Sequence, residues 1–236
     1  MKLTDKTPLE SLNKAYSSSN INEGQINSFK TNLKILFDDC HNAELKGEEE
    51  THFRDILLIF LNNTYYNGVH KVISANKKDM VIHVENSTHS DIGVIIEIKR
   101  PKNKGEMISK DNLNAKAMQE LLHYYIEERL KKEKAKQNPK IKYLIITSVY
   151  EWFIFDAIDF ERFFFENEKL IIEYKEWEEK KSVGTGTKWL YQKIAQPFIE
   201  KQLIKSTYTY FDLRDIKTNI ENQDNNSDEV KKLIPI

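Results

Sequence analysis

Apolar residues recur at two different spacings along this chain, and the spacing changes near residue 69. Ile26, Phe29, Leu33, Leu36 and Phe37 fall three and four apart, which predicts an amphipathic helix over 24–40. A polar break containing Gly47 leads to a second such stripe, Phe53, Ile56, Leu57, Phe60 and Leu61, and to a helix over 49–62. Ahead of both, Thr7-Pro8-Leu9-Glu10 reads as the start of a short helix over 7–18. Thr7 is its cap and Pro8 its first helical residue, and Ser17-Ser18-Ser19-Asn20 breaks it.

Beyond residue 69 the apolar runs become short and β-branched. Segments 69–73, 80–84 and 94–98 are bounded by Asn, Gly, Ser and Asp clusters and predict three strands. A long helix over 111–135 follows, with Leu113, Ala117, Leu121, Leu122 and Tyr125 inward. Two further strands are expected at 142–147 and 152–156, the first apolar enough to lie inside a sheet. The aromatic-rich stretch 159–180 and the stretch 188–203 read as helices, with 182–187, which holds Gly184-Thr185-Gly186, as a flexible linker. This order predicts an α/β fold, a mixed central sheet flanked by helices, with extra N- and C-terminal helices. The expected divisions are an N-terminal helical region (1–47), a core (48–165), a C-terminal helical extension (166–217) and a linker or tail (218–236). No internal repeat is visible.

Composition narrows the class. With 236 residues, 39% hydrophobic and 31% charged, the chain reads as a soluble globular protein of about one domain. No apolar run is long enough to span a bilayer, and Met1-Lys2-Leu3-Thr4-Asp5 opens no signal peptide, so a cytoplasmic protein without membrane partners is expected. The single cysteine, Cys40, excludes an internal disulfide, and six scattered histidines give no zinc spacing. A net charge of −1 does not announce a nucleic-acid binder. The charges are uneven, however: Arg100, Lys102, Lys104 and Lys110 follow the third strand as candidate DNA-binding residues. A second basic group, Arg129, Lys131, Lys132, Lys134, Lys136, Lys140 and Lys142, reads as a solvated helix end and loop.

Candidate chemistry sits on the second and third strands, at Asp79 and at Glu97-Ile98-Lys99. Glu-x-Lys alone is weak, since Glu44-Leu45-Lys46, Glu173-Tyr174-Lys175 and Glu229-Val230-Lys231 satisfy it too. Glu97 and Lys99 differ in lying on an apolar β-branched strand, where alternate charges share one face. Charges facing a buried side are costly unless a metal, a counter-charge or a substrate compensates. Asp79 and Glu97 offer hard oxygens to Mg2+ (Mn2+ as substitute), with the Ile98 carbonyl as a further ligand. Lys99 is expected to orient or deprotonate water, or to offset charge on a phosphate.

These residues resemble the PD-(D/E)XK nuclease superfamily, and the resemblance implies a restriction-endonuclease-like core. It implies further that Glu50, at the start of the helix before the strands and followed by Arg54, is a metal ligand, with Glu49 as the alternative. Gln119, in Ala117-Met118-Gln119-Glu120-Leu121-Leu122-His123-Tyr124, resembles the Gln of a Gln-x-x-x-Tyr motif that holds the active lysine or DNA. Tyr124 falls one residue beyond that spacing, and Lys78 stands where the superfamily name has Pro.

Longer runs narrow the resemblance. Residues 7–16, 94–101, 112–120 and 146–156 are similar to the N-terminal nuclease region of type IIG restriction–modification proteins, which fuse an endonuclease to an adenine-specific DNA methyltransferase. The similarity covers residues 5–215. It implies Mg2+-dependent cleavage of double-stranded DNA, at least transient homodimerisation for double-strand cuts, and methyltransferase and target-recognition regions in a longer polypeptide. No Asn-Pro-Pro-Tyr motif is present, so S-adenosylmethionine enters only through a region absent from this chain, which reads as a fragment or excised domain, with a natural short protein as the alternative. The competing expectation is a non-catalytic DNA-binding or docking module that keeps the nuclease fold. His83, His123 and the aromatics around Trp152 and Phe160 are expected to be structural.

Overall fold

Alternation along β4 (Ile92–Ile98) decides how the chain layers. Ile95 packs into one core and Ile96 and Ile98 into another, so the sheet is buried on both faces. The computed structural model describes residues 4–11, 22–75, 78–131, 137–202 and 207–217. Seven strands form one mixed sheet in the order β1-β7-β6-β5-β4-β3-β2. They are β1 (Thr4–Lys6), β2 (Val72–Ala75), β3 (Lys78–His83), β4, β5 (Tyr143–Thr147), β6 (Glu151–Asp156) and β7 (Thr207–Asp212). β2, β3 and β4 run antiparallel, while β5 joins β4 in parallel, because a helical crossover intervenes.

One face is covered by α2 (Glu23–Lys46) and α3 (Glu50–Leu61). Asn22 and Gln25 form a reciprocal cap at the start of α2, and Gly47, with φ of 69°, ends it in the left-handed conformation. Ile26, Phe29, Leu33, Leu36 and Phe37, the stripe read from sequence, are buried. α3 opens on Glu50 and runs on into a π-helical turn, Asn62–Tyr66.

The other face carries α4 (Lys116–Arg129) and the C-terminal helices α5 (Ala157–Phe160), α6 (Glu168–Glu178), α7 (Thr187–Trp189) and α8 (Gln196–Gln202). A four-residue helix, α1 (Pro8–Ser11), follows β1. The break expected at 17–20, the lysines at 132, 134 and 136, and the tail from 218 lie outside the described residues.

Three expectations change. The region 166–217 is not purely helical: Thr207–Asp212 is a strand that pairs with β6, and Thr4–Lys6 pairs in turn with it, so both ends join the central sheet. The segment 182–187 is not a loose linker. Trp189 lies against Gly184, where a Cβ would sit 2.1 Å from its ring, and the Ser182 hydroxyl donates to the Gly184 carbonyl at 2.7 Å. Finally, the helix expected over 111–135 is observed at Lys116–Arg129, because residues 101–115 form a turn-rich loop instead. Among the described residues, no helix is long and apolar enough to cross a membrane.

Candidate active site

The β3–β4 register brings the carboxylates together. Met80 pairs with Ile96 and Val81 with Ile95, so one step outward sets Asp79 beside Glu97, on the face that Val81 and Ile95 share with α4. The Ile98 backbone N–H donates to Asp79 Oδ2 at 2.9 Å, which pins that side chain across the strand ends. The Lys99 N–H continues the parallel ladder to the Thr147 carbonyl at 2.9 Å, which fixes the backbone from which its ammonium projects.

Three carboxylates surround that ammonium. Lys99 Nζ lies 2.5 Å from Glu97 Oε1, 2.9 Å from Glu120 Oε2 and 3.3 Å from Glu50 Oε1. Glu97 and Lys99 are only 1% and 2% exposed, so the pair is withdrawn from water. Burial pushes the Glu97 carboxyl well above the usual range; Lys99 opposes this, and the charges of Asp79 and Glu120 add to it. Burial also raises the Glu50 carboxyl, against the pull of Lys99. For Lys99, burial alone would favour the neutral amine, but Glu97, Glu120 and Glu50 reverse this and hold it as an ammonium.

Glu97 Oε2 is buried without a hydrogen-bond partner, and Glu120 Oε2 meets Lys99 without hydrogen-bond geometry. Unpartnered hard oxygens beside Asp79 suit Mg2+ in kind. As the side chains stand, no three His, Cys, Asp or Glu residues among those described are arranged to hold a metal, and Lys99 is the cation the carboxylates enclose. Asp79, Glu97 and Glu50 are thus the residues that would hold the ion once Lys99 yields part of its contact.

Glu50 comes from the first turn of α3, and its Oε2 also accepts the Arg100 N–H at 3.3 Å. Glu49, the alternative, points outward, 3.7 Å from Arg100 Nη1 and 83% exposed. Arg54 pairs with Asp55, not with Glu50. Gln119 does not reach Lys99: its amide donates to Asn114 at 3.4 Å. The neighbour Glu120 takes that place, since one residue along a helix turns the side chain by about 100°. The signal for Glu120 was its spacing, four residues before Tyr124. Ile98 contributes its N–H to Asp79.

The basic residues are engaged, and two of them with strands away from the carboxylates, Lys104 with β6 and Lys110 with the edge strand β1. Lys102 donates to the Glu44 carbonyl at 2.9 Å, Lys104 meets Glu151 at 2.6 Å, and Lys110 meets Asp5 at 2.6 Å. Arg100 and Lys102 line a cavity of about 190 Å³ with Glu44, Gly47, Glu48 and Phe53. His83 and His123 are buried, bonded to the Ser90 carbonyl and the Tyr174 hydroxyl respectively, as structural histidines are.

Residues 6–236 match the family described as "Domain of unknown function (DUF7149)". The chain belongs to that family. The DUF7149 match covers every strand but the first two residues of β1, so sheet and carboxylate cluster lie within the family's bounds. Comparison with curated proteins and with solved structures finds no match.

Proposed function

We propose that this chain is an endodeoxyribonuclease domain with a restriction-endonuclease-like core, hydrolysing phosphodiester bonds of double-stranded DNA with Mg2+. In this reading it is the restriction part of a longer, cytoplasmic type IIG restriction–modification protein. The observation that carries it is the buried Glu97–Lys99 pair, ringed by Asp79, Glu50 and Glu120, with Glu97 Oε2 left unpartnered. Each buried charge costs several kcal/mol after relaxation, a cost that packing alone gives no reason to bear. The succession α3, antiparallel β2–β4, α4 and parallel β5 supports the same reading, since it sets an Asp and a Glu-x-Lys side by side at strand ends.

The chain's own residues divide the work. Asp79, held by the Ile98 N–H, and Glu97 present oxygens for Mg2+, and Glu50 adds a third from the opposite face of the sheet. Bound there, Mg2+ supplies Lewis acidity and lowers the pKa of water at neutral pH. Lys99, whose ammonium lies among Glu97, Glu120 and Glu50, would offset charge on a phosphate oxygen, or orient or deprotonate the attacking water once Mg2+ takes up the charge of those carboxylates. Glu120 fixes where that ammonium points. Arg100 and Lys102 lie beside the site to meet the strand's backbone, whereas Lys104 and Lys110 must first leave Glu151 and Asp5. Double-strand cleavage requires a second copy, hence a transient homodimer. Target recognition and methyl transfer from S-adenosylmethionine belong to regions of the longer polypeptide.

The test is plasmid nicking with Mg2+, with Mn2+, with EDTA, and with Lys99→Ala. We expect metal-dependent nicking that falls about 10³-fold or more in the variant. Folded wild-type protein that binds DNA without cutting it under either metal would sink the nuclease and leave the docking module.

A further inference from the structure

The C-terminal extension packs on the helix that carries Glu120. After α7 the chain makes a π-helical turn, Leu190–Ala195, a geometry recurrent at functional positions. Leu190, Ile194 and Ala195 are buried beside Leu122 and Ile126 of α4, which seats this turn against the helix that carries Glu120. Tyr191 stays half-buried, its ring 6.3 Å from that of His123, which is itself 5.5 Å from the ring of Tyr124. Tyr124 falls one turn after Glu120 and so shares its face of α4. The ammonium of Lys78, next to Asp79, lies 5.8 Å from the Tyr124 ring.

Tyr124 and Tyr191 both pack against the core on the α4 face of the sheet, and burial raises the pKa of both phenols, so both stay protonated. Neither hydroxyl has a hydrogen-bond partner among the described residues. Two protonated donors beside an anionic centre, both without an acceptor, call for an incoming acceptor, and a phosphate oxygen is the strongest that the proposed reaction brings.

We propose that Tyr191 is a substrate-positioning residue, donating a hydrogen bond to a phosphodiester oxygen of the DNA strand that crosses the Glu97–Lys99–Glu120 centre, with Tyr124 as its companion on α4. This rests on the nuclease reading and extends it to a segment that reading leaves out. The extension thereby completes the site.

Tyr191→Phe removes only the donor and keeps the ring. The full chain and this variant are compared for binding of a short fluorescent DNA duplex with Ca2+, for cleavage with Mg2+, and for Tm. The expected result is a roughly tenfold rise in both Kd and KM, the fold-change of one hydrogen bond to a charged group. The expected kcat stays within about twofold and Tm is unchanged, as for a contact made equally in ground and transition states. Unchanged binding and cleavage in Tyr191→Phe would overturn the contact and leave the nuclease standing, as would losses that only track a lowered Tm. Wild-type protein that binds but does not cut, with binding weakened in Tyr191→Phe, retains the contact and overturns the nuclease. Absence of duplex binding by the wild type, or tighter binding to an RNA duplex of the same sequence, overturns the assignment to DNA.

Discussion

At the scale of single residues the site is a balance between burial and charge. Lys99 remains an ammonium inside the protein because three carboxylates outweigh its desolvation, whereas Glu97 has one lysine against burial and two further acids. The folded-state pKa of Glu97 therefore lies above its ordinary value of 4.5. In the window above 4.5 the folded state holds a proton that the unfolded state has lost, so stability falls as pH rises through that window. Glu97→Gln is expected to flatten this fall in urea melts taken from acid to neutral pH, and to abolish cleavage; a melt series parallel to wild type would refute the imbalance. Glu120 shows what residue-level reading cannot see. Its neighbour Gln119 is as plausible from sequence, and only the rotation of α4 against β4 decides which side chain meets Lys99. On the proposed nuclease reading, Glu120→Ala should therefore lower kcat about tenfold or more, since Lys99 would lose the carboxylate that fixes its direction. Gln119→Ala should leave it within about threefold, read in the same plasmid assay.

At the scale of elements, two joints hold the pieces that present the site. The first staples β3 to α4: Lys78 meets Glu127 and Glu128 at 3.0 Å each, and Lys131 meets the other oxygen of Glu128 at 2.6 Å. Glu128 is 2% exposed, so Lys78→Met leaves a buried carboxylate with half of its compensation. A loss of about 1–3 kcal/mol in urea unfolding is expected; a change below about 0.5 kcal/mol would show the pair to be dispensable. Lys78 thus has a structural reason to stand beside Asp79. The second joint is the Gly184–Trp189 contact, which orients α7 and the turn bearing Tyr191. Gly184→Ala would drive a methyl into the indole, at an expected cost of about 1–3 kcal/mol and a lowered Tm by calorimetry. In sequence this glycine reads as a linker, since Gly-Thr-Gly is turn chemistry and nothing local reveals the indole approaching it. The helix expected over 49–62 was legible almost to the residue (Glu50–Leu61), because Phe53 to Leu61 repeat at helical spacing and are buried as that spacing requires, whereas the one expected over 24–40 runs on to Lys46, where only Ala43 continues the buried stripe.

At the scale of the whole molecule the first and last described strands belong to the central sheet. β7 covers the outer edge of β6: the Phe153 ring lies 4.9 Å from Tyr210, and Trp152 stacks on Phe211 at 5.7 Å. β1 then covers β7, and Asp5 on β1 holds Lys110 of the loop after β4. Truncation at residue 203 would open the β6 edge with its aromatic partners removed, so insoluble or aggregating protein is expected by light scattering. A soluble, monomeric product with native circular dichroism would show the extension to be an appendage after all.

The sequence by itself determined the α/β class, the two long helices, the central strands and the nearness of Asp79 to Glu97 and Lys99. Each of these is local: a side-chain period, a turn signal, or two strands joined by a short connection whose register follows from alternation. The tertiary structure decided the rest. It set Glu50 rather than Glu49, and Glu120 rather than Gln119, against Lys99, enclosed Lys99 among three carboxylates, engaged Lys104 and Lys110 with distant acids, and seated the turn bearing Tyr191 on α4. The helix choices depend on the angle at which one element packs on another, and the distant contacts on partners far along the chain, so no window along the sequence contains them.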